Sequence, residues 1–125
     1  MPTTKVIFYS EADGRSPIVE WFADLRRRDG KAWANCVARV EQLQQAGHQL
    51  RRPTADYLRD GIYELRARKG HAQYRILYFF HGNVAAVLAH GMIKQGSAVP
   101  DIDIERALKR KKNFERNPRM HTHEQ

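Results

Sequence analysis

Cysteine occurs once in the 125 residues, at Cys36, which excludes an intramolecular disulfide and fits a reducing compartment. No stretch approaches the roughly 20 apolar residues that a membrane-crossing helix requires. The opening residues, MPTTKVIFYSEADGRS, lack a basic segment leading into a long apolar one. No secretory signal is therefore expected, and the cytoplasm is the expected location. Proline and glycine, 5 and 8 in number, are too scattered to make a linker, and no repeat or low-complexity tract interrupts the chain. One domain is expected. Acidic residues are the scarcer charge: 14 against 22 Lys and Arg, for a net charge of +8. That excess fits a polyanionic partner, whether nucleic acid, an anionic membrane surface or an acidic protein. The hydrophobic fraction of 42% argues against wholesale disorder.

Motifs of several function classes are missing too. There is no glycine-rich phosphate loop and no Ser/His/Asp signal. His81, His90, His121 and His123 lack cysteine or carboxylate partners at metal-ligand spacing. Neither a metal nor another cofactor is expected. His90 follows a strand and reads as structural. Cys36 lies on the apolar stripe of a helix and reads as core.

What is present has a clear order. Lys5 to Tyr9 is a short β-favouring run. Ser16 and Pro17 are a capping residue and a first-turn proline, followed by Ile18, Phe22 and Leu25 at helical spacing. Lys31 to Ala46 carries Trp33, Cys36, Val37, Val40 and Leu43 or Gln44 on one stripe, with Gly47 as terminator. HQLRRPTADYLRDG (48–61) reads as loop. From Ile62 the period becomes two: Tyr63, Leu65 and Ala67 point one way and Glu64, Arg66 and Arg68 the other. Gln73 to Phe80 and Val84 to Ala89 follow after tight turns, giving a meander whose last strand is apolar on both faces. Asp101 opens a final helix with acids first and bases last. Asn117 to Gln125 reads as a loose tail. The order β-α-α-β-β-β-α describes an α+β fold, a helical hairpin packed on a small, mainly antiparallel sheet.

Arg75 is the residue out of place, a guanidinium inside the aromatic strand YRILYFF (74–80). An unpaired charge there is costly, so it needs a partner or a wet cleft. In one arrangement the face is an ordinary solvated one, with Arg75 paired to Glu64 or Asp60. In the other, Arg66, Arg68 and Arg75 gather with Lys69 and His71, at the intervening turn, into a group able to offset charge on a phosphate and move a proton. Lys94, at a strand end, is either a further phosphate contact or a guard against edge pairing. Lys109, Arg110, Lys111 and Lys112 form either a phosphate-binding face or a solvated helix end.

The segments GIYELRAR, HAQYRILYFF and VAAVLAHGMIKQGSAVPDIDIERALKRKKNF, together with WFADL, resemble the RelE/HigB toxins of bacterial type II toxin–antitoxin systems, most closely the phage-derived host-inhibition branch. The resemblance spans residues 6–114, so residues 1–114 are expected to form the toxin domain and 115–125 a flexible tail. It implies a RelE-like fold and ribosome-dependent endonucleolysis of mRNA without a metal, in which the 2′-hydroxyl attacks the adjacent phosphate. Arg75 matches the strand arginine that stabilises the transition state. Arg66, Arg68 and Lys94 match basic positions around it. Gln95 stands where many relatives carry a second base. The catalytic tyrosine or histidine near the C-terminus has no clear match, which leaves His71 as a substitute. The implied partners are an antitoxin of helix-turn-helix form, the ribosome and mRNA, and operator DNA through the antitoxin alone. ParE-like relatives that inhibit DNA gyrase without cutting RNA, and non-catalytic nucleic-acid binding, are the alternatives.

Overall fold

In the computed structural model, which describes residues 3–124, the Ser16 hydroxyl accepts the Val19 N–H and Pro17 opens helix α1 (Pro17–Arg28). Asp29 ends that helix and caps the next. Its backbone N–H donates to Leu25, and its carboxylate accepts the Ala32 N–H at 3.1 Å. Helix α2 (Gly30–Ala46) therefore begins at once and stops at Gly47, whose φ of +55° suits glycine. The two stripes, Ile18, Phe22 and Leu25 with Ala32, Cys36, Val40 and Leu43, are buried in one core. Burial pushes the Cys36 thiol up to about 11, which removes it as a nucleophile near neutral pH.

Five strands form one sheet in the order β1-β5-β4-β3-β2. They are β1 (Lys5–Phe8), β2 (Ala55–Arg59), β3 (Ile62–Lys69), β4 (Ala72–His81) and β5 (Ala85–Lys94). β1 runs parallel to β5 and the other pairs are antiparallel. Helix α3 (Asp101–Arg116) closes the chain. The α+β class and the mainly antiparallel sheet agree with the sequence reading, with one strand more: β2 lies in the segment read as loop. It is an edge strand of five residues, and Asp56, Tyr57 and Arg59 give it no apolar alternation. Ala55 is its one fully buried side chain.

The helical hairpin covers one face of the sheet, over Leu65, Ala67, Tyr74, Ile76, Tyr78, Ala86 and Leu88. α3 packs on the opposite face, with Ile104, Ala107 and Phe114 against Ile62, Leu77, Phe79, Val87 and Ala89. The pairing between β4 and β5 slips by one residue, Tyr78 facing Leu88 while Leu77 faces His90. Ala89 is the extra residue of this bulge, and its carbonyl accepts a hydrogen bond from Arg110 of α3 at 2.7 Å. Near it Gly91 lies under Trp21 of α1, whose ring occupies the space a Cβ would need. Gly91→Ala is therefore expected to lower stability by about 1–3 kcal/mol, read as a drop in the urea midpoint at unchanged slope.

The residues after α3 are docked, not loose. The Ser10 N–H donates to His121 O and the His123 N–H to Phe8 O, each at 2.9 Å. His121 is buried and its ring stacks on Tyr9, interplanar angle 3°. The attachment runs through the backbone edge of β1, which amino-acid type does not announce. Among the described residues, no helix is long and apolar enough to cross a membrane.

Candidate nucleic-acid interface

Strand alternation places Glu64, Arg66 and Arg68 of β3 on the face that α3 occupies. Cross-strand pairing sets Arg75 opposite Arg66 and Gln73 opposite Arg68 on β4, then Met92 and Lys94 opposite these on β5. α3 packs on the other half of that face, so these rows lie beyond it. They end in a cleft of about 260 Å³ lined by Arg39, Pro53, Thr54, Arg66, Ala67, Arg68, Gln73 and Arg75. Four guanidinium groups thus border one opening. Past Thr54, β3 has no strand neighbour on that side, and side chains of α2 take over. Arg39 donates to Arg66 O at 3.0 Å and Asn35 to Arg68 O at 2.9 Å.

The charges in the floor alternate across the strands. Arg75 Nε lies 3.1 Å from Glu64 Oε1, and Arg66 Nε donates to Glu64 Oε2 at 2.9 Å. Arg66 also approaches Asp56 at 3.4 Å, and Asp56 pairs with Arg52 at 2.8 Å. The hydrogen bond from Arg52 is the main cause that holds the Asp56 carboxyl below its ordinary range. Arg75 and Glu64 are only 5% and 3% exposed. Their contact is one of charge without alignment: among the described residues, Arg75 Nε and Glu64 Oε1 are buried and hydrogen-bonded to nothing. Arg75 Nη1 donates to Tyr74 O at 3.1 Å and Nη2 to Gln73 Oε1 at 2.9 Å. Burial lowers the Arg75 pKa, against the opposing pull of Glu64. It stays charged, as an arginine so high in its ordinary value does.

Of the residues singled out in the sequence, Arg66, Arg68 and Arg75 meet at the cleft, and Lys94 extends the Arg68–Gln73 row. Arg68 is exposed and makes no salt bridge among the described residues. Lys69 does not join them. It shares its parity with Leu65 and Ala67, points to the hairpin side and pairs with Asp29 at 2.6 Å. His71 sits exposed in the turn, two residues before Gln73, and does not line the cleft. The α3 bases are divided. Arg110 is anchored on Ala89 O, and Lys111 pairs with Glu115 at 2.9 Å. Lys109 and Lys112 border a depression, together with Arg59 and Lys111, that also holds Asp60, Glu105 and Glu115. Acids therefore stand among the bases on this side of α3. His90 is structural, as read: Nε2 lies 2.7 Å from Asp103, and burial lowers its pKa. Arg39 and Gln73 went unnoticed in the sequence. Gln73 shares the strand parity of Arg75 and was within reach of that argument, whereas Arg39 reaches the site from α2 through tertiary packing alone. Among the described residues, no group of three or more His, Cys, Asp or Glu is placed to hold a metal ion.

The family described as phage derived protein Gp49-like (DUF891) matches residues 23–112, well over half of the chain and including β2 to β5 and most of α3. The chain belongs to the Gp49-like family. Gp49-like proteins are toxin-like and related to RelE/HigB. The match takes in every residue bordering the cleft of this Gp49-like chain. No curated protein matches its sequence.

Proposed function

We propose that this Gp49-like protein is the toxin of a toxin–antitoxin pair and cuts mRNA on the ribosome. The observation that carries the reading is the cleft itself, where Arg39, Arg66, Arg68 and Arg75 border one opening and Lys94 lies in the next strand of the same row. In the reaction, the RNA 2′-hydroxyl attacks the neighbouring phosphorus and the 5′-oxygen departs, leaving a 2′,3′-cyclic phosphate. Negative charge builds on the non-bridging oxygens, and preorganised guanidinium donors stabilise it. Arg75 is the most preorganised, held from two sides by Tyr74 O and Gln73. Arg68 is the most accessible. His71 is the imidazole nearest in sequence to the two rows, and to transfer the proton it must swing in from the exposed turn that holds it outside the cleft. The antitoxin, a helix-turn-helix protein with acidic or mixed charge, masks the basic cleft, and operator DNA is reached through it.

One observation favours a second reading. Arg75 already has Glu64 as counter-ion, and no histidine lines the cleft. A site of that kind suits a toxin that binds without cutting, such as an inhibitor of DNA gyrase. Mapping mRNA 5′ ends after brief induction separates the two. New ends are expected within translated reading frames and are expected to be absent from the same transcripts when their start codons are removed. Loss of supercoiling without new ends would overturn the nuclease reading.

A further inference from the structure

Among the described residues, Glu64 is the only carboxylate shared between the two opposed arginines, and it serves them unequally. It accepts a hydrogen bond from Arg66 at 2.9 Å, but its other oxygen faces Arg75 Nε at 3.1 Å without one. The two atoms meet as buried opposite charges with the N–H poorly aimed at the oxygen, a looser contact than the aligned one to Arg66. The arginine fork is also only partly engaged. Tyr74 O and the Gln73 amide oxygen each take one N–H from Arg75, and a guanidinium carries five. Gln73 and Arg75 both line the cleft, so an anion entering it meets the Gln73 end of that fork.

Resting on the phosphate-binding reading of the cleft, we propose that Glu64 is a positioning residue, a resident counter-ion that holds Arg75 in the free protein and yields it to a phosphodiester. The carboxylate keeps the charge neutralised while the cleft is empty. An arriving phosphate takes the Nη hydrogens now shared with Gln73 and draws the guanidinium off Glu64 Oε1. Glu64 keeps its bond to Arg66, so the carboxylate is not stranded by the exchange. The empty site is thereby held at lower positive potential than its arginines imply, and anion affinity is set by competition with Glu64.

The test uses the full chain, inorganic phosphate and the Nε–H NMR signals of its arginines, with the Gln73 and Arg68 backbone amides as reporters of occupancy. In the wild type, phosphate is expected to shift the Arg75 Nε–H signal together with those amides and with the same midpoint. In Glu64→Gln, which keeps an acceptor for Arg66, phosphate is expected to bind about tenfold tighter, because one opposing charge has gone. Asp56→Asn, which leaves Arg75 untouched, is expected to tighten binding by less than Glu64→Gln. Amides that shift while Arg75 Nε–H does not, or a folded Glu64→Gln that binds no tighter, would overturn the Glu64 assignment and leave the cleft reading standing. No shift at any of these groups would overturn the cleft reading, and the Glu64 assignment with it. The wild-type titration decides the matter alone if Glu64→Gln does not fold.

Discussion

Arg75→Ala is expected to abolish growth arrest and to slow RNA cleavage by on the order of 10²–10³-fold, the usual loss when one preorganised donor to a developing oxyanion is removed. The same substitution acts on the fold. Breaking a buried ion pair from one side costs about 3–5 kcal/mol where the remaining charge is left alone. Here Glu64 retains the Arg66 hydrogen bond, which places the loss toward the lower end. Cleavage must therefore be compared at a temperature where the variant is folded, with the thermal midpoint measured beside it. Arg68→Ala separates the two effects. Arg68 is exposed and has no salt bridge among the described residues, so its removal should change stability by no more than about 0.5 kcal/mol while still weakening cleavage. A folded Arg75→Ala protein that cuts at the wild-type rate would show that the reaction happens elsewhere.

Phe79→Ala is expected to have the largest effect on stability, about 3–5 kcal/mol. Phe79 is fully buried on the α3 face and meets Phe114 edge to face, ring centres 5.7 Å apart. Its neighbours Leu77 and Val87 belong to the sheet and cannot close the gap by moving inward. A domain of this size has a total stability of about 5–15 kcal/mol, so the variant would sit near its unfolding midpoint under mild denaturant. Urea unfolding followed by circular dichroism measures the shift. A loss below about 1 kcal/mol would mean that α3 is not held through this contact.

Arg75 shows how far the sequence could be read. Alternation on β3 put Glu64, Arg66 and Arg68 on one face, and the expense of a lone charge among aromatics demanded a partner or a wet cleft. Both are present: Glu64 is the partner, Asp60 is not, and the cleft reaches the far side of the same guanidinium. Lys69 could have been excluded by the same alternation, since it falls one residue out of step with Arg68. β2 was hidden because an edge strand buries little and needs no apolar period. The docking of residues 117–124 was hidden because backbone hydrogen bonds fix it. Basic residues of α3 looked like one cluster along the chain, yet the helical turn sends Arg110 inward and its neighbours toward Glu105 and Glu115.

The bulge at Ala89 sets which face of the sheet every later side chain of β5 occupies. Were the strand to pair without a bulge and with Ala89 kept, Ile93 would come to lie beside Gln73 and Lys94 would turn toward the helical hairpin. Composition and net charge would be the same, yet the row of cations would end one strand early. Relatives of this chain should accordingly be compared by the bulge and the count of residues between Leu88 and Lys94 together, because a strand of the same length without the bulge presents its lysine to the wrong side.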